Sequence, residues 1–226
     1  ASNYDSRAAY ESGWCVNAPP GSPPPPRATS DGTVAMHTLL SHRQGGFNFS
    51  LSAHELFGHT VAGIGDVDGD GTPDLAVGAP GYGGFRRGAV YIVLVDPLTG
   101  GAKGGSRLHD GLPLSAYDHF GAGLAGLGDV DGDGVPDLAV GAWGDDGDDG
   151  ARANAGAVYV LFLQRDGSAK PAAAGGGALA YRKLASPAGA PLGGQFGAAL
   201  ALLRADGAGS VELAVGSPAG GALGGG

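Results

Sequence analysis

The segment GDVDGDGTPDLAVGA, Gly65 to Ala79, returns as GDVDGDGVPDLAVGA, Gly128 to Ala142, with fourteen of fifteen positions identical. A match of this length marks an internal duplication. It constrains the fold more than any other feature, because repeated units of this kind bury their apolar faces against one another in a stacked or radial array. The flanks return as well. LSAHELFG, Leu51 to Gly58, is echoed by LSAYDHFG, Leu114 to Gly121, and GAVYIVL from Gly88 is echoed by GAVYVLF from Gly156. Phe57 and Phe120 stand 63 residues apart. A third, degraded copy opens at Phe196-Gly197 and closes with ELAVGSP, Glu212 to Pro218, and GTVAM, Gly32 to Met36, resembles the GAVYI stretch as an earlier half-copy.

Each copy predicts four short strands. In the first copy these are HTVAGIG, DLAVGA, AVYIVLV and a weaker outer strand around Gly104 to Asp110, matched in the second by Ala178 to Leu184. Short apolar runs separated by Gly and Asp turns suit antiparallel strands. Near-continuous apolar character implies burial on both faces. Glycine supplies 47 of 226 residues, a composition that disfavours helices because glycine loses the most backbone freedom on ordering. No Gly-X-Y period is present, which excludes collagen. The expected fold is all-β, built from four-stranded antiparallel blades.

Residues 1–30 form a separate proline-rich linker, with Pro19, Pro20 and Pro23 to Pro26 at its core, and read as an extended spacer or as a ligand for a proline-binding domain. The repeats occupy 31–226, with copies near 51–113, 114–189 and 190–226. The balance of 22 acidic against 13 basic residues, a formal charge of -9, makes nucleic acid and anionic membrane surfaces poor partners and a cation a better one. The single cysteine, Cys15, excludes a disulfide framework within the chain. No apolar stretch approaches the roughly 20 residues that span a bilayer. The chain starts at Ala1 with no visible signal peptide, which suggests a processed or excised chain.

The chemistry is concentrated in two loops of the form D-x-D-G-D-G-x-P-D. Carboxylates fall at loop positions 1, 3, 5 and 9: Asp66, Asp68, Asp70 and Asp74 in one, Asp129, Asp131, Asp133 and Asp137 in the other. Two such charges about 5 Å apart repel by roughly 3 kcal/mol at an effective dielectric near 20, and a shared divalent ion removes that cost. Calcium fits the donor set, since it takes about 6–8 oxygens at roughly 2.3–2.6 Å in adaptable geometry. The carbonyls of Thr72 and Val135 are candidate further ligands, which gives two Ca2+ sites. Magnesium keeps its waters and a tighter octahedron, and zinc would call for His or Cys, which the loops lack. Gly69, Gly71, Gly132 and Gly134 permit the positive φ of a tight wrap. An EF-hand loop is the rival reading, but it needs Glu at position 12 and flanking helices. Position 12 is Val77 or Val140, and the exit LAVGA is a strand pattern.

The third copy aligns Arg204, Asp206, Ala208 and Glu212 with the four carboxylate positions, so it is expected not to bind calcium, or to bind it feebly. GDDGDDG, Gly144 to Gly150, lacks the alternating spacing and reads as a solvated connection between blades. Asn48-Phe49-Ser50 is an N-glycosylation triplet. His59 and His119 adjoin the Phe-Gly pairs and read as packing or surface residues. No nucleophile with a neighbouring base stands out, and the expectation is a protein that is not an enzyme.

The order Phe-Gly, D-x-D-G-D-G-x-x-D, L-A-V-G-A-P is similar to the FG-GAP repeat of integrin α-subunit propellers. Phe57-Gly58 with Gly78-Ala79-Pro80 is the fullest copy; Phe120-Gly121 pairs with Gly141-Ala142-Trp143, and Phe196-Gly197 with Gly216-Ser217-Pro218. The resemblance implies an integrin-alpha-type β-propeller, of which this chain supplies about three blades of seven, with calcium in the hairpin loops. It implies a module for protein-protein interaction or cell adhesion, placed outside the cell or on its surface, with a protein or glycan ligand. Association through open blade edges is a further expectation. The alternative it permits is a set of non-catalytic accessory repeats in an extracellular enzyme of the phospholipase- or polysaccharide-acting type.

Overall fold

A computed structural model of the protein describes residues 38–42, 44–148, 150–173, 179–188, 192–205 and 210–218. The proline-rich linker, Cys15 and GTVAM lie outside the described residues. Among the described residues every regular element is a strand. The first sheet contains β1 (Thr60–Gly65), β2 (Asp74–Ala79), β3 (Ala89–Val95) and β4 (Ala102–Leu108), in that spatial order. The second contains β5 (Phe120–Gly128), β6 (Asp137–Ala142), β7 (Ala157–Leu161) and β8 (Tyr181–Ala185). A third, two-stranded sheet pairs β9 (Ala199–Ala205) with β10 (Val211–Gly216). All neighbours are antiparallel.

Register is repeated between the copies. Val77 faces Tyr91 as Val140 faces Tyr159. The pairing shifts between Gly63 and Gly65 and again between Gly126 and Gly128. Both irregularities lie where the chain leaves the first strand of its sheet for the acidic loop, and such a bulge re-aims the strand that carries it.

The sheets stack face to face, which explains why their inner strands read as unbroken apolar runs. β6 and β7 are buried throughout. Ile64, Val90, Ile92 and Leu108 of the first sheet pack with Phe120, Leu124 and Val140 of the second. Leu127, Ala139 and Val158 on the far side of the second sheet meet Leu200, Leu213 and Val215 of the third. Position within the stack decides exposure. Leu124 is 8% exposed between two sheets, whereas Val61, its counterpart in the first copy, is 59% exposed. Leu127 is 1% exposed, and its third-copy counterpart Leu203 is 68% exposed. Burying a side chain of this size stabilises by about 1.5–3 kcal/mol.

The glycines of the repeat form the joints between sheets. A Cβ on Gly78 would lie 2.1 Å from the Gly121 carbonyl oxygen, and one on Gly141 would lie 1.8 Å from that of Gly197. The glycine of the L-A-V-G-A segment therefore touches the glycine after phenylalanine in the following copy. Thr60 Oγ1 donates to the same Gly121 carbonyl at 2.7 Å. Parallel bridges from Gly88 to Phe120 and from Gly156 to Phe196 tie the same seams.

Candidate metal centre

Each acidic loop connects the first two strands of its sheet, and its aspartates fold it before any ion is considered. Asp66 accepts from the backbone amides of Gly69, Asp70 and Gly71 at 2.8, 3.0 and 2.8 Å. Asp129 does the same for Gly132, Asp133 and Gly134 at 2.7, 3.1 and 2.8 Å. The chain can wrap round one carboxylate in this way because Gly69 and Gly71 adopt φ of 84° and 88°, a region that glycine enters without a Cβ clash. The last carboxylate of each loop anchors it to the end of the third strand in the first sheet and to the chain just beyond that strand in the second. Asp74 accepts from Val67 and Val95 amides at 2.8 Å each. Asp137 accepts from Val130 at 2.9 Å and from Leu163 at 3.0 Å. Both are fully buried, and burial raises their pKa above the ordinary carboxylate value, against the pull of these amide bonds.

The structure brings three of the four carboxylates of each loop together. One oxygen each from Asp66, Asp68 and Asp74 lie within 4.8 Å of one another, and so do oxygens of Asp129, Asp131 and Asp137. Two oxygens on opposite sides of one calcium ion are at most about 5 Å apart, so each trio fits a single ion in an all-oxygen donor set. Asp70 and Asp133, at position 5, stand outside these trios. Their carboxylates accept from the amides of Thr72 at 2.7 Å and Val135 at 2.9 Å. Val135 itself is buried in the core between the sheets.

Position 5 has a partner that the sequence reading did not supply. Lys103 Nζ lies 2.7 Å from Asp68 and also contacts Asp70. Lys170 Nζ lies 2.7 Å from Asp133 and also contacts Asp131. Hydrogen bonding to these ammonium groups holds Asp70 and Asp133 below the usual carboxylate pKa. In return Asp68 and Asp70 raise the pKa of Lys103; for Lys170 desolvation opposes the rise but Asp131 and Asp133 outweigh it. A divalent ion is therefore not the sole relief for these clustered charges. One signal was available: Ala102-Lys103 and Ala169-Lys170 occupy matching places in the two copies.

Two further expectations fare differently. In the third copy, Arg204 and Glu212 face each other across β9 and β10, while Asp206 and Ala208 lie outside the described residues. GDDGDDG is not solvated along its length. Asp145 is 3% exposed, takes a hydrogen bond from Tyr159 Oη at 2.8 Å and lies 3.0 Å from Lys183 Nζ. Those two partners let one carboxylate of the run enter the protein, while Asp148 stays exposed against the same lysine. In the first copy, Tyr91 Oη donates instead to Glu55, at 2.9 Å. Asp118 replaces Glu55 in the second copy and is one methylene shorter. His119 packs, as expected, stacked on Trp143 with ring centroids 4.2 Å apart.

The FG-GAP repeat family matches residues 57–93 and 120–161. The chain carries FG-GAP repeats. Each matched span runs from the Phe-Gly pair through the acidic loop into the third strand, so both candidate centres lie inside a repeat, and the four-stranded sheets are propeller blades of the integrin-alpha type. Integrin alpha pat-2 of Caenorhabditis elegans is 42% identical over 97 residues, 38% of this chain and 7% of that protein. Integrin alpha-V of Gallus gallus is 40% identical over 117 residues, 47% of this chain and 11% of that protein. Integrin alpha-5 of Xenopus laevis is 42% identical over 97 residues, 42% of this chain and 9% of that protein. The chain thus spans about a tenth or less of the length of the curated relatives it matches. No helix among the described residues is long and apolar enough to cross a membrane.

Proposed function

We propose that this chain is a calcium-binding propeller module that serves protein-protein interaction or cell adhesion at the outside of the cell. The observation that carries the calcium reading is the duplicate trio of carboxylates, each set within 4.8 Å and pre-shaped by backbone amides. Asp66, Asp68 and Asp74 would hold one ion, and Asp129, Asp131 and Asp137 the other, with Asp70, Asp133 and the carbonyls of Thr72 and Val135 as further donors. A bound ion would cross-link the hairpin between the first two strands of each blade and stabilise the edge of the stack.

The interaction reading draws on the likeness to integrin alpha subunits and on the apolar residues at both ends of the stack, Val61 and Leu203, which suit further blades or a partner protein. Asn48 is exposed in a loop, a placement that suits glycosylation. The residue set offers binding rather than catalysis, because the loop carboxylates are committed to backbone amides, lysine and metal.

Calcium titration by calorimetry tests the reading, with dissociation constants expected on the order of 10⁻⁴–10⁻³ M. At about 100-fold excess over Kd each site adds about 2.7 kcal/mol. Two sites then raise the melting temperature by about 10–20 °C, at roughly 2–4 °C per kcal/mol for a chain of this size. Superimposable melting curves in calcium and in chelator would defeat the proposal.

A further inference from the structure

The position-3 carboxylate of each loop serves two arrangements at once. Asp68 belongs to the trio with Asp66 and Asp74, and it is also the 2.7 Å partner of Lys103. Asp131 belongs to the trio with Asp129 and Asp137, and it also contacts Lys170. The position-5 carboxylates, Asp70 and Asp133, are held by the same ammonium groups and stand outside the trios. The arrangement occurs in both copies, with a lysine from the same place in each repeat and the same two loop positions. Nothing in the local loop sequence requires it, since Lys103 lies 33 residues from Asp70 and Lys170 lies 39 from Asp131.

We infer that Lys103 and Lys170 are tethered cations that compete with the divalent ion for the loop carboxylates, and so set the calcium concentration at which each loop loads. The inference rests on the calcium reading above. An ion that recruits Asp70 as well as Asp66, Asp68 and Asp74 must displace the Lys103 ammonium, and the same holds for Lys170 at Asp133. The displaced ammonium remains near a doubly charged ion and is repelled by it, which weakens binding further. With no ion bound, the ammonium neutralises the same carboxylates and keeps the loop folded. The lysines thus trade affinity for independence from calcium. Removing them should tighten binding and make the loop depend on the ion.

The test uses the full chain and the metal alone. Calcium affinity is measured by calorimetry, and thermal stability is followed in chelator and in calcium. The variants are Lys103→Gln with Lys170→Gln, which removes both charges, and Lys103→Arg with Lys170→Arg, which keeps them. Arg87→Gln, an exposed charge at the opposite end of β2 and β3, controls for net charge. The Gln pair is expected to bind calcium about tenfold more tightly per site and to melt lower than the parent in chelator. The Arg pair and Arg87→Gln are expected to keep parental affinity. Unchanged or weaker binding by the Gln pair, with a parent that binds, overturns the competition and leaves the calcium sites standing. A parent that takes up no calcium overturns the calcium reading and the competition with it.

Discussion

Asp137 and Asp131 belong to the same loop, yet their replacement should fail in different ways. Asp137 is fully buried, and its two oxygens accept the amides of Val130 and Leu163. Each bond to a charged acceptor contributes about 1.5–3 kcal/mol, so Asp137→Ala forfeits about 3–6 kcal/mol in gross terms. The substitution also removes a charge whose burial is unfavourable, as the raised pKa of this carboxyl indicates. That offset brings the expected net loss to about 2–4 kcal/mol. At roughly 2–4 °C per kcal/mol the melting temperature falls by about 5–15 °C, and it does so in chelator, where metal plays no part. Asp131 has 30% side-chain exposure and its charged partner is Lys170. A pair of this kind contributes about 0–1 kcal/mol, so Asp131→Ala should melt within a few degrees of the parent in chelator while losing calcium affinity in that loop. The assay is thermal unfolding by far-UV circular dichroism, in chelator and in calcium, for both variants. Equal melting temperatures of the two variants in chelator would refute the division of the loop into an anchoring position and a metal-holding position.

Two glycine substitutions probe the stack, and a third substitution probes a buried charge. Gly141→Ala places a Cβ 1.8 Å from the Gly197 carbonyl oxygen, and because backbone must move, a loss of about 3 kcal/mol or more is expected. Gly63→Ala, where a Cβ meets nothing within 4 Å, should stay within about 0.5 kcal/mol in a urea melt. Asp118 is 2% exposed, and burial is the main cause of its rise to about 6, with Asp145 and Asp146 adding repulsion. Its folded pKa lies above the unfolded value, so the folded state binds the proton more readily, and this group's contribution to stability falls as pH rises from about 4 to about 6. Asp118→Asn should therefore be more stable than the parent by about 1–3 kcal/mol at pH 8, with the gain fading towards pH 4; a pH-independent difference would contradict the assignment.

What could be read without coordinates was local or repeated. The strands β1 to β3 and β5 to β7 coincide with apolar runs that occur twice, and a short apolar run shared by two copies is hard to mistake for a loop. The acidic loops were legible for the same reason: all four carboxylates of each lie within nine residues, and glycines stand where the wrap needs positive φ. Partnerships between distant segments escaped. The burial of Asp145 depends on Tyr159 Oη and Lys183, residues that nothing in GDDGDDG announces. The division of labour among the four aspartates depends on which backbone amides approach them, and Leu163 reaches Asp137 from 26 residues away.

The chain's own residues determined the repeat, the strand order within each blade and the presence of an oxygen-rich loop at each first hairpin, because those properties arise from residues a few positions apart. Tertiary structure alone decided which glycines meet across the seams, as Gly78 meets Gly121, and which cation the position-5 carboxylates face, as Asp70 faces Lys103. Such contacts form only when the third and fourth strands fold back and one sheet lies on the next. Their geometry is set by packing, which no local pattern of residues encodes.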